Sequence, residues 1–134
     1  MALHPPMVLG LTVCEDVVAD PIANHVSVIR IFNHLTMDAF PGVARPFCVY
    51  AALTDAEGNL PLELVVRTGE GFPEEIHRVP TPFRFIGRLL TVHYVLRLQT
   101  CPVPTPGDYT LTLELAGEWL AHRTFQIEDT GGYE

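Results

Sequence analysis

The sequence has 134 residues, with 8 Lys+Arg against 16 Asp+Glu and a formal net charge of −8; every basic residue is an arginine. Hydrophobic residues make up 48% and charged residues 18%, less charge than the roughly 25% of an average soluble domain, so the chain can build a core and is not disordered. Net acidity with scattered arginines excludes a nucleic-acid backbone binder.

The length fits a single domain, 1–134. The first strand expected is Met7–Cys14, an apolar run of eight residues and so far short of the roughly 20 of a membrane span. Only His4 precedes Met7 as a polar side chain, and Asp16 and Asp20 follow closely, which does not suit a secretion signal. Val13 is too bulky, and the approach too poor in basic residues, for Leu11-Thr12-Val13-Cys14 to read as a lipoprotein box. Cys14, Cys48 and Cys101 cannot all pair, so they read as free thiols in a reducing compartment, with the cytoplasm as the expected location.

Period-two alternation continues in Val26–Asn33, after a turn-like Ala-Asp-Pro-Ile-Ala-Asn stretch, and in Phe47–Thr54, which is apolar on both faces and therefore central. Asp55–Asn59 reads as a hairpin loop with Gly58 available for positive φ. Leu60–Arg67 and Ile86–Leu98 follow, the latter interrupted on its apolar face by Arg88. The last two strands are Tyr109–Ala116 and Trp119–Ile127, joined by a tight turn at Gly117-Glu118. Prolines fall almost entirely between these runs, where a missing ladder donor is harmless. The spacing leaves room for a helical turn only at Leu35–Phe40 or Pro73–His77. Seven to eight short strands with regular turns predict an all-β fold, an Ig-like antiparallel β-sandwich.

No arrangement of side chains spells out a reaction. His25 and His34 are read on opposite faces of the second strand, His93 beside Thr91, Arg97 and Gln99, and His122 beside Thr124 and Gln126. These are solvated positions, not a ligand set. Asp55, Glu57, Asn59 and Glu63 gather oxygens at one loop but break the EF-hand pattern, and a solvated hairpin tip explains them. Cys14 stands next to Glu15 and Asp16, whose charge disfavours a thiolate, and Cys48 reads as a small core residue. Ser27, the only serine, lies inside a strand with no nucleophile elbow around it. Glu74 and Glu75, near His77 and Arg78, read as loop carboxylates facing water. Neither a metal nor a cofactor is expected.

Two features bear on function. A two-layer sandwich buries one face of each sheet, so the second apolar face of Phe47–Thr54 needs a cover from loops, another subunit or a partner. This favours a non-enzymatic protein-interaction module, self-associating or part of a larger assembly, with no nucleic-acid or membrane partner. Trp119 and Tyr133 are the aromatic candidates for contact. Trp119, directly after the last turn, either closes the end of the core or offers a platform. The alternative function is a small-ligand binder, with a carbohydrate as the favoured ligand and with Trp119 and the loop acids Asp55 and Glu57 at one rim.

Three stretches carry a resemblance: Leu11-Thr-Val-Cys-Glu-Asp16 with the strand Val26–Phe32 leading into Pro41; Ala52-Leu-Thr-Asp-Ala-Glu-Gly58; and Gly107-Asp-Tyr109 through Leu113-Glu-Leu-Ala-Gly117 to Leu120-Ala-His-Arg-Thr-Phe125. Together they resemble a family of small bacterial β-sandwich proteins known only as a domain of unknown function. The resemblance implies the fold and a bacterial origin, and brings no catalytic residue with it.

Overall fold

The computed structural model describes residues 4–20, 22–23, 25–69 and 71–130, and among them the regular elements are all β-strands. One sheet has the order β10 (Val92–Leu98), β5 (Phe47–Thr54), β1 (Met7–Asp20), β2 (His25–Ile31). The other has the order β3 (His34–Met37), β13 (Glu118–Asp129), β12 (Gly107–Leu115), β7 (Leu62–Thr68), β8 (Glu75–Pro80). Short pairs at the rims join β4 (Gly42–Val43) to β11 (Pro102–Val103) and β6 (Gly58–Leu60) to β9 (Phe83–Phe85).

The alternating side chains read from the sequence close the core. Tyr109, Leu111, Leu113 and Leu115 of β12 face Leu11, Val13, Val49, Ala51 and Leu53 of the opposite sheet within one apolar cluster. Truncating any of these leucines to alanine would cost about 2–5 kcal/mol. The β12–β13 hairpin turns on Ala116 and Gly117, both with positive φ, the geometry a two-residue hairpin needs to match strand twist. At the entry to β12 the Tyr109 hydroxyl donates a hydrogen bond back to the Thr105 carbonyl. That link four residues upstream is the tyrosine corner of immunoglobulin-type sandwiches, and with two facing sheets, antiparallel except for the β3–β13 pair, it makes this an Ig-like β-sandwich.

Several boundaries differ from the expectation. The second strand is not continuous through Asn33. It ends at Ile31, and the chain crosses to the other sheet, where β3 pairs in parallel with β13. His25 and His34 therefore lie on different strands of different sheets. The long run Ile86–Leu98 contributes only β10, from Val92, because Arg88 and Leu89 form a turn. The two places with room for a helical turn are strand: Leu35 lies in β3, and β8 starts at Glu75.

The surplus apolar face of β5 is covered from within the chain. The first half of β1, Met7–Cys14, pairs with β5, while Cys14–Asp20 pairs with β2. This second half overhangs the end of β5 and folds back across the outer side of its own sheet. There Val17, Val26 and Val28 pack with Cys14, Cys48, Tyr50 and Val95. Arg97 pins the fold-back, donating to the Val17 carbonyl at 2.9 Å and to Asp16 Oδ1 at 3.2 Å. At the base of the hairpin Arg30 adopts a φ of 54°, a left-handed kink that few side chains tolerate.

Candidate functional site

The outer face of the five-stranded sheet carries a connected polar cluster. In register, Glu114 of β12 lies directly opposite Glu63 of β7 on one side and Trp119 of β13 on the other. Two carboxylates opposite each other repel, and two arginines resolve the conflict. Arg67 leans along β12 and donates to Glu114 Oε2 at 2.7 Å and to Thr112 Oγ1 at 3.1 Å, while the Thr112 hydroxyl donates to Glu114 Oε2 at 2.7 Å. Arg78 of β8 holds Glu63 at 3.0 Å and Glu75 at 2.7 Å.

Glu114 is 1% exposed. Burial pushes its carboxyl pKa up, but the hydrogen bonds from Arg67 and Thr112, together with the charges of Arg67 and Arg78, prevail and hold it below the ordinary glutamate range. Above this pair, the Arg67 guanidinium lies 5.4 Å from the centre of the Trp119 ring, within cation–π range. His122, opposite Thr112, approaches the same ring at 6.1 Å between centroids. Trp119 nevertheless remains 52% exposed. The result is an aromatic ring with one face taken by an arginine whose position is fixed by a buried carboxylate.

Strict alternation from Phe125 and Ile127 would turn Trp119 inward, which is why the sequence allowed it to close the core. The register shifts between Leu113 and Glu114, so that Ala121 opposes Leu113 while Trp119 opposes Glu114. The extra residue, Leu120, packs against the core, and this bulge moves Trp119 to the outer face. Arg67, Thr112 and Glu114 escape a reading of the sequence because each looks like an ordinary solvent-facing position. Only cross-strand register brings them together.

The other candidates separate. The Asp55 carboxylate is engaged by Arg88, at 3.0 Å, and Glu63 by Arg78, so the oxygens of Asp55, Glu57, Asn59 and Glu63 do not form one site. Glu57 is exposed, and Asp55 turns to Arg88 rather than toward Trp119. Gly58 has the positive φ expected of it, 80°, but Asp55–Asn59 is not a hairpin loop: it carries the chain from β5 in one sheet to β7 in the other, and Gly58 opens β6, which pairs with β9. Among the described residues no group of His, Cys, Asp and Glu could hold a metal ion. Cys14, Cys48 and Cys101 are free and buried. Burial, then the neighbouring Cys48 and Asp16, push the Cys14 thiol up to about 11, and burial does the same to Cys101. Glu75 is tied to Arg78. Tyr133 lies outside the described residues. A cleft of about 390 Å3 separates the hairpin tip from the segment before β10, between Ala19, His25, Val26, Ile86, Leu90 and His93.

A sandwich with a tyrosine corner, an open aromatic and no assembled reaction centre among the described residues belongs to the class of Ig-like domains. Within that class the chain belongs to the family of unknown function DUF6941, whose model matches residues 9–128. It is also similar to the crystal structure of an immunoglobulin-like protein from Pseudomonas aeruginosa, at 13% identity and a TM-score of 0.47, covering 96% of this chain and 100% of that one. Comparison with curated proteins gave no match.

Proposed function

We propose that this chain is a non-enzymatic protein-interaction module, self-associating or serving as a subunit of a larger assembly, and that the Trp119 face is a contact surface. The observation that carries the reading is the half-open Trp119 ring held by Arg67 over the buried Glu114. Tryptophan and arginine dominate binding hot spots when their rotamers are fixed before the partner arrives, because little side-chain entropy is then lost. The three free, buried cysteines support a cytoplasmic setting.

The test is affinity capture from lysate of the source organism with the wild type and with Trp119→Ala. The expected outcome is a stoichiometric partner retained by the wild type and lost by the variant, with an unchanged circular dichroism spectrum. An identical set of captured proteins for both would overturn the role of this face.

A second reading, a carbohydrate binder, draws on the same exposed ring flanked by His122 and Arg67. Trp119 is the single tryptophan, so its intrinsic fluorescence reports on this site alone. A saturable change with one sugar class would favour that reading, and a flat response across a broad panel would remove it.

A further inference from the structure

Each sheet of the sandwich ends in strands with one unpaired side, and unpaired strand edges invite pairing with other chains unless they are defended. Three of the four edges here carry a defence. β8 ends in Pro80, which has no N–H to offer a further strand. β3 is only four residues long. β2 contains Arg30 in a left-handed conformation, with a φ of 54°, which breaks the run of extended backbone. β10 has none of these. Its seven residues, VHYVLRL, pair with β5 in an unbroken register, and they include no glycine, proline, lysine or left-handed residue.

The free side of β10 has no backbone partner among the described residues: β5 is its single paired neighbour, and no loop hydrogen bond reaches its backbone. The polar side chains that could guard it are drawn back over their own sheet. His93 Nδ1 shares a 2.6 Å hydrogen bond with the Tyr50 hydroxyl. Arg97, the single charged residue of the strand, is tied to Asp16 and the Val17 carbonyl.

We infer that β10 is a homotypic docking strand, pairing antiparallel with β10 of a second copy about a two-fold axis through Val95. The inference rests on the interaction reading above and names a partner for it. In that register Val95 meets itself, Tyr94 meets Leu96 of the second copy and Val92 meets Leu98, so apolar residues oppose apolar residues on both sides of the axis. His93 meets Arg97, which puts no carboxylate against a carboxylate despite the net charge of −8. Residues at equal distances from Val95 point to the same face, so the inner face of one sheet continues into that of the next. The two four-stranded sheets then merge into one, a form of strand addition. One strand pair buries less than a standard interface, so the association is weak and depends on concentration.

The experiment combines sedimentation equilibrium over a wide concentration range with hydrogen exchange of the wild type at its two extremes. The expected result is a monomer–dimer equilibrium in which those amides of residues 92–98 that point away from β5 exchange about tenfold more slowly at high concentration, because only the dimer protects them. Val95→Lys places like charges opposite each other at the axis and weakens the dimer by about tenfold or more. Because the exchange data come from the wild type, the test does not depend on that variant folding. A dimer that protects β2, β3 or β8 instead would overturn the assignment. A monomer at every concentration that still captures a Trp119-dependent partner would overturn the edge pairing while leaving the interaction reading intact. A monomer without any partner would remove both.

Discussion

On the outer side of the four-stranded sheet the chain places Cys48, Tyr50 and Val95 and closes them with its own β1–β2 hairpin. On the outer side of the five-stranded sheet it buries a carboxylate, Glu114, beneath Arg67 and leaves Trp119 half open. The first face is held by apolar contact and a single arginine clasp. The second is held by charge, with two arginines neutralising glutamates that register alone would set against each other. An apolar face has to be covered to be stable, whereas a satisfied ion pair with amphipathic side chains over it can stay at the surface. The molecule therefore has one face closed by its own chain and one face on which Trp119 stays half open to solvent.

Charging the closed face should give the largest effect. Val17→Asp buries an unpaired carboxylate under the hairpin, where Val17 is 4% exposed, and should cost about 3–4 kcal/mol in chemical denaturation. A thiol reagent should then label Cys14 and Cys48 while Cys101, which sits in the main core, stays protected. Unchanged labelling of all three cysteines would show that the hairpin is not what shields the first two.

On the open face, Arg67→Met leaves Glu114 buried without its ion-pair partner and should cost about 2–3 kcal/mol near neutral pH. The sign of the pH dependence follows from the depressed carboxyl of Glu114. A group whose folded pKa lies below its unfolded value stabilises the fold above the ordinary glutamate range, and that contribution disappears as pH falls through the depressed value. Denaturation curves of wild type and Glu114→Gln should therefore differ at neutral pH and converge in acid. A difference that persisted in acid would show that the Arg67–Glu114 charge is not its source.

The smallest effect belongs to neither face. Tyr109→Phe removes the hydroxyl that holds Thr105 but keeps the ring in the core, so a loss of about 1 kcal/mol is expected, equal whether measured in the wild type or in the Arg67→Met background.

The parts legible in the sequence are those fixed by local alternation. Tyr109, Leu111, Leu113 and Leu115 are all buried, and the central two-sided strand lies where the pattern puts it, while the last hairpin turns one residue earlier than read, at Ala116-Gly117, and the Asp55–Asn59 loop joins two sheets instead of closing a hairpin. The cover of that strand is not legible, because the fold-back of β1 past Cys14 depends on contacts with Tyr50 and Val95, far along the chain. Trp119 stands out in the sequence, but its side of the sheet depends on one extra residue, Leu120, which period-two counting cannot detect. Arg67 and Glu114 are 47 residues apart, and no local signal links them. Asp55 and Glu57 look like partners of Trp119 because all three sit beside turns, yet Asp55 is engaged with Arg88 instead.

The hairpin folded over the four-stranded sheet also bears on the unusual composition of the chain. With it in place the domain has three layers at that end rather than two, and the middle one is interior on both sides. A chain this short has a high ratio of surface to volume, and doubling back is a way for it to raise the fraction of side chains kept from water. Part of the 48% hydrophobic content is in this sense the signature of a small protein that wraps part of itself, and the second apolar face of β5 that first suggested a missing partner is covered inside a single copy.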